Sequence, residues 1–365
     1  MRTKKILLLL ALLCAVVQGV WSQNGIYCTA SDVGRVVCTD GSIYDNVAEA
    51  TAANKTAAAK IIWVDETNKK GMALALQDEG TRNMQSAIET CAGKNTSRPV
   101  AGATWKLASQ DEWNTMVTAA GGHATLRNGF SSVGGTDMAW KYWSSTRYDI
   151  MNGMTLLIDD GSWGYTMPTD QCAVRACLVF DLLTLYTIGS RAEWETFCAA
   201  VNSGDTFSDK YVKLTDDITV SEMVGASDGN SFQGFFDGNG HTLTFNKGTA
   251  ASAFNEEYCA PFRHVKNAVI KNLCVNGQMY TSAKYAAGFV GESHGNLTID
   301  NCCSSVGIHG SKSGDGFHGG FVAMLSGTDN TIVIDNCIFD GEFTTTNGTN
   351  GCGGFIGWTN YIKNH

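Results

Sequence analysis

The chain has 365 residues, with 26 lysines and arginines against 35 acids and a formal charge of −9. Arg2, Lys4 and Lys5 fall in an N-terminal leader, so its removal takes the charge to −12. An acidic chain without basic runs is a poor match to nucleic acid or to an anionic membrane surface, and neither partner is expected.

The three leader cations precede an apolar run from Ile6 to Val17, too short to span a bilayer with margin. Val20 and Ser22 stand where a signal peptidase reads small or apolar residues, before a cut at Gln23. Residues 1–22 therefore read as a signal peptide. Leu13 precedes Cys14 where a lipoprotein signal needs a small residue, which argues against a lipid anchor. The mature chain is expected to be secreted or displayed at the cell surface, with no membrane insertion.

The next stretch, 23–180, mixes helix and strand signals. Lys60 to Val64 and Met72 to Leu76 read as strands joined by a Lys-Gly turn. Met84, Ala87, Ile88 and Cys91 give a helical stripe. Ser109 and Glu112 form a capping box before Trp113, Met116 and Val117, and Gly121-Gly122 end that helix. Strands follow at Tyr142 to Ser145, Met154 to Ile158 and Ala173 to Phe180, with Asp160-Gly161 as a turn.

Export permits disulfides, and Cys28 and Cys38, bracketing a short segment, are the expected bridge. Arg147, Tyr148, Asp149 and Tyr165 lie beside turns and are the candidate ligand-binding residues, since aromatic side chains stack on sugars and anchor protein partners. Trp143 and Trp163 are expected in the core.

Four motifs come in order: Trp105-Lys-Leu-Ala-Ser-Gln-Asp-Glu-Trp113, Tyr142-Trp-Ser-Ser-Thr146, Asp160-Gly-Ser-Trp163 and Val174-Arg175. The set resembles an exported bacterial domain family with the pattern W-x-L-P-S-x-x-E-W, Y-W-S-S-T, D-G-x-W, V-R; Ala108 stands where that pattern has Pro. The family is similar to the C-type-lectin-like fold shared with formylglycine-generating enzymes, and it implies binding on a β-rich surface more often than catalysis. The Glu-Pro-Asn and Trp-Asn-Asp triplets of calcium-dependent lectins are missing, so no calcium site is expected. Cys172 and Cys177 have the spacing of the oxidase thiols, but a strand would send them to opposite faces, with Cys177 buried and Cys172 in a loop.

Residues 181–189 read as a linker. Ser190 and Glu193 then form another capping box, and Trp194, Phe197, Cys198 and Val201 give its helix one apolar face. Short strands follow to residue 260. The last hundred residues repeat one pattern three times. Ile270-Lys-Asn272, Ile299-Asp-Asn301 and Ile334-Asp-Asn336 are each followed by a Gly-Phe element, at Phe289, Phe321 and Phe355. The Asn spacings are 29 and 35 residues, a period that signals a solenoid.

Stacked turns would align the isoleucines inward, the Asn residues as a ladder at a bend, and the Phe residues as an aromatic column. The Gly before each Phe would supply a backbone conformation that other residues disfavour. Cys302 and Cys337, stacked and parallel, would be buried thiols and poor bridge partners. The Gly-Gly-Phe-Val-Gly and Ile-x-Asn-Cys elements resemble the repeats of bacterial surface proteins, and Phe236-Asp-Gly-Asn-Gly-His-Thr-Leu243 is similar to the entry turn of pectin-lyase-like folds.

The whole reads as an α+β, C-type-lectin-like domain followed by a right-handed parallel β-helix: capping helix and first strands over 190–260, repeats over 261–365. The repeats run to the chain end, so a piece of a longer protein is expected.

No catalytic residue, cofactor or metal is assigned. His309 and His318 flank a Gly/Ser-rich loop without a supporting carboxylate or Cys set. The function expected is a secreted or surface-bound binding and adhesion protein, recognising glycan or a host or neighbour surface protein. The alternatives are a carbohydrate-active enzyme of the β-helix class, a lyase or glycosidase, and a structural spacer. The enzyme reading points to Asp300 and Asp335, one repeat apart, with Lys271 in the same column.

Overall fold

A computed structural model describes residues 24–359 apart from 313, 328, 329, 347 and 348. The leader over 1–22 and the chain end at His365 lie outside the described residues.

The N-terminal part holds two sheets. Six antiparallel strands run in the order Ile43–Tyr44, Val36–Cys38, Ala57–Asp65, Lys70–Ala75, Cys177–Asp181, Ala103–Lys106. The second sheet runs Thr81–Arg82, Cys172–Ala173, Lys141–Arg147, Gly153–Leu157, Trp163–Thr166. Helices Met84–Ser97 and Gln110–Ala119 pack on these sheets through Met84, Ala87 and Cys91, and through Trp113, Met116 and Val117. The second helix starts where its capping box demands: Glu112 N–H donates to Ser109 Oγ at 3.2 Å, and Ser109 N–H to Glu112 Oε2 at 2.7 Å.

Alternation places neighbouring residues in different cores. Leu178 and Phe180 enter one with Trp105 and Trp143, and Cys177 enters the other with Trp113 and Tyr142. Cys172 is itself buried on a strand rather than in a loop, and Trp163 is only half-buried, its Nε1 donating to Asn114. The fully buried Arg175 guanidinium is paired with Asp78 at 2.7 Å, lies over the Phe130 ring and donates to Thr136 O. Tyr142 Oη also donates to Asp78, so the Val-Arg motif serves a buried polar network.

The C-terminal part is a parallel β-solenoid. Its longest sheet stacks Thr184–Ile188, Lys210–Leu214, Phe235–Asp237, Ala268–Lys271, Leu297–Asp300 and Ile332–Asp335, all parallel. A second face stacks Ile218–Val220, Thr242–Phe245, Cys274–Thr281 and Cys303–Gly310, followed by Ile338–Phe339 and Glu342–Thr345. A third stacks Phe262–Val265, Val290–Ser293, Val322–Leu325 and Ile356–Thr359, and a short fourth stacks Tyr285–Ala287, Gly314–Gly319 and Thr349–Gly353. The segment 181–189 is thus not an open linker: Thr184–Ile188 is the first strand of the longest sheet, without Pro to keep it from pairing.

Val212, Phe236, Ile270, Ile299 and Ile334 stand in one column by register, and the first four are fully buried. Helix Arg191–Asn202 packs its apolar face on the same core, with Trp194 edge-on to Phe236 and Phe262 and Phe197 edge-on to Phe207 and Phe232. No helix among the described residues is long and apolar enough to cross a membrane.

The repeat residues divide their roles differently from the sequence reading. Asn272, Asn301 and Asn336 carry the left-handed backbone, with φ of 52°, 52° and 51°. Asn301 Nδ2 donates to Asn272 Oδ1 at 2.9 Å, Asn272 Nδ2 to Asp237 Oδ1 at 2.9 Å, and Asn336 Nδ2 to Asp300 Oδ1 at 3.1 Å. Phe289, Phe321 and Phe355 stack with centroids 4.9 and 5.5 Å apart, the last half-exposed. The glycines before them have ordinary φ, and Gly288 and Gly320 are needed for close approach instead. A Cβ on Gly288 would lie 2.3 Å from Gly320 O, and one on Gly320 would lie 1.9 Å from Gly354 O.

The cysteines also depart from expectation. Cys28 and Cys38 are separate buried thiols, whose pKa values burial pushes to about 12 and about 11. The bridge is Cys274–Cys303, opposite each other on parallel strands with Cα atoms 4.5 Å apart. Stacking one rung apart therefore permits a disulfide, because adjacent strands lie within bridging distance. Cys302 and Cys337 remain thiols, each pointing its sulfur at main-chain carbonyls.

Candidate functional site

The four binding candidates lie on one edge of the second N-terminal sheet. Arg147 ends a strand, Tyr148 and Asp149 open the loop to Gly153–Leu157, and Tyr165 sits on the edge strand Trp163–Thr166 opposite Met154. Tyr148 and Tyr165 are brought together, ring centroids 5.1 Å apart and 16° from coplanar, at 62% and 65% exposure. Ile150 at the loop tip is 90% exposed, and Met151 and Met167 are also exposed.

Asp149 braces the loop. Its carboxylate accepts from Asn152 Nδ2 and from the Met151 N–H, and these bonds hold its pKa below the usual value. Tyr148 N–H donating to Asn152 O closes the turn. The loop therefore presents Tyr148 and Ile150 from a fixed backbone, while Arg147 supplies an exposed cation beside them.

A second cluster forms on the solenoid's third face. His264, on Phe262–Val265, stands opposite Glu292 on Val290–Ser293, and His294 follows that strand. His264 Nδ1 lies 3.3 Å from Glu292 Oε2 and 3.2 Å from His294 Nε2, and His294 Nε2 lies 3.2 Å from Glu292 Oε2. Side-chain exposures are 9%, 9% and 16%. Burial raises the Glu292 pKa, but hydrogen bonds from His264, His294 and Ser326 outweigh it and hold the carboxyl well below the usual range. These three residues could hold a metal ion.

Sequence reading did not group these residues. The available signal was the alternation in Glu292-Ser-His294 together with a polar residue at the matching place one turn earlier. The pair it did weigh is not assembled. His309 is hydrogen-bonded to Thr344 and Gln278, while His318 is sealed inside the solenoid, where burial pushes its pKa down to about 4.

The acidic column is assembled by register as Asp237, Lys271, Asp300 and Asp335. Its carboxylates have structural partners. Asp237 accepts from Tyr211 Oη and Asn272, and Asp300 from Lys55 and Asn336. Lys271 lies over the Phe235 and Tyr211 rings beside a cavity of about 290 Å³ that Tyr27, Tyr44 and Leu183 also line. No protein-family model matches this sequence, and no curated protein is significantly similar to it.

Proposed function

We propose that the chain is an exported binding protein of the cell surface, with a lectin-like N-terminal unit that makes the contact and a right-handed β-helix that displays it. Helix Arg191–Asn202 serves in this reading as the cap of the solenoid, covering its first apolar rungs. The Cys274–Cys303 bridge supports an oxidising, extracytoplasmic location, in keeping with the leader.

The observation that carries the reading is the braced edge bearing Tyr148, Tyr165 and Ile150. Large apolar side chains held in the open on a rigid loop are the composition of an interaction surface, in which Tyr, Met and Arg are enriched. The Ile and Met content favours a surface protein; a glycan would stack on the tyrosines. The enzyme alternative has less support, because the carboxylates of the acidic column are engaged by Lys55, Tyr211 and the Asn ladder.

The test is binding of the mature chain, and of a Tyr148→Ala/Tyr165→Ala/Ile150→Ser variant, to mucin, matrix proteins and a glycan array. Binding by the native chain that falls at least tenfold in the variant supports the reading. Binding unaffected by the three substitutions refutes the assignment of the surface, and silence on all three panels counts against adhesion.

A further inference from the structure

The strands that carry His264 and Glu292 are neighbours in a parallel sheet, so the two side chains leave the same face about 4.8 Å apart at their bases. The chain then turns, and His294, with its N–H bonded to Val265 O at 2.9 Å, brings a second imidazole to the same point. The three converging atoms form a nearly equilateral triangle with edges of 3.2, 3.2 and 3.3 Å. A tetrahedral ion with ligand bonds of about 2.0–2.1 Å requires donor–donor edges of about 3.3–3.4 Å.

Protons alone satisfy this triangle poorly. If both imidazole nitrogens carry hydrogen, each can donate to Glu292 Oε2, but the two N–H groups then face each other at 3.2 Å. If one nitrogen is bare, its lone pair faces the carboxylate oxygen. In either state a mostly buried contact is unfavourable. A cation at the centre accepts both lone pairs and the carboxylate charge together.

The surroundings fit that arrangement. Ser326 Oγ donates to the other carboxylate oxygen, Glu292 Oε1, at 2.5 Å and fixes its orientation. Asp228 Oδ1 lies 3.7 Å from His294 Nδ1, on the side where a metal-bound imidazole carries its carboxylate partner. Further along the column Met324 and Trp358 replace the polar residues, which confines the donor set to these two turns. Two imidazoles and one carboxylate, without sulfur, select a borderline divalent ion over Ca²⁺ or Mg²⁺.

We infer that His264 Nδ1, Glu292 Oε2 and His294 Nε2 form a Zn²⁺ site that staples two consecutive turns of the solenoid and leaves a fourth coordination position for water or an external ligand.

The experiment uses the full mature chain, stripped with chelator and titrated with ZnCl₂ by calorimetry, with Tm followed in parallel. One equivalent should bind with micromolar or tighter Kd and raise Tm. Glu292→Gln and His294→Gln should each weaken binding by at least about a hundredfold while leaving the metal-free circular dichroism unchanged, and Asp228→Asn by about tenfold. If a ligand variant does not fold, Co²⁺ bound to the native chain decides: the intense visible bands of a four-coordinate ion support the site, and the weak bands of a six-coordinate ion overturn it. Absence of binding to the folded native chain overturns it, as does undiminished binding in both ligand variants.

Discussion

Lys55 Nζ lies 2.9 Å from Asp300 Oδ2 and 3.1 Å from Asp40 Oδ2, so one ammonium joins the N-terminal sheet region to the longest sheet of the solenoid. All three side chains are at most a quarter exposed. Burial lowers the Lys55 pKa, and the hydrogen bonds and charges of Asp300 and Asp40 reverse that and raise it. Lys55→Met leaves two carboxylates without their common cation and should cost about 2 kcal/mol. A double-mutant cycle of Lys55→Met with Asp300→Asn, read by chemical denaturation, should return a coupling energy clearly above zero.

The same contact predicts a pH dependence. Burial raises the Asp40 pKa, but bonds from Ser42 and the Lys55 charge outweigh it and place it below 3.8. A depressed carboxyl contributes stability that is present above its unfolded value of 3.8 and lost as pH falls through the folded value. Lys55, raised above 10.5, contributes fully below 10.5 and loses that contribution as pH rises through its folded value. The Tm difference between native and Lys55→Met chains should hold across neutral pH and shrink well below pH 3.8. An equal difference in strong acid would contradict this account.

Opening the Cys274–Cys303 bridge releases a loop whose ends are 29 residues apart. The chain-entropy estimate for that length is a loss of about 3–4 kcal/mol. Cys274→Ser/Cys303→Ser should therefore unfold at visibly lower denaturant than the native chain, and reductant should move the native chain toward the variant without affecting the variant itself.

The ladder and the glycine column both resist an added methyl group, for different reasons: backbone strain at the Asn positions and a main-chain clash at Gly320. At Asn301, with φ of 52°, Asn301→Gly and Asn301→Ala both lose the bond to Asn272, but only alanine is strained. Asn301→Ala should be less stable than Asn301→Gly by about 1–2 kcal/mol in equilibrium denaturation. Gly320→Ala needs no unusual φ, yet its methyl would meet Gly354 O at 1.9 Å, and it should damage the fold more than either.

Much of the architecture could be read because a solenoid repeats its demands. Each turn needs an inward Ile, a bend residue and an aromatic plug, so Ile270, Ile299 and Ile334 recur at a legible period. The capping box at Ser109 and the side-chain cap at Ser190 were equally local signals. The bridge was harder to read, although Cys274 and Cys303 hold the same repeat position, two residues after the Asn. Cys302 and Cys337, one residue after the Asn in their turns, stack in the same parallel way and remain thiols, so spacing alone does not single out the bridged pair.

The sequence by itself determined the periodic columns and the helix starts, because these depend on spacing within a turn. Tertiary structure decided what faces what between turns. Matching the Phe motifs alone would set Phe262 against Phe289 and His264 against Gly291. The observed register sets Phe262 against Val290 and His264 against Glu292. Side chains alternate with a period of two, so that one-residue offset puts an acid rather than a glycine beside the imidazole. Register is fixed by the packing of the whole stack, which no single repeat encodes.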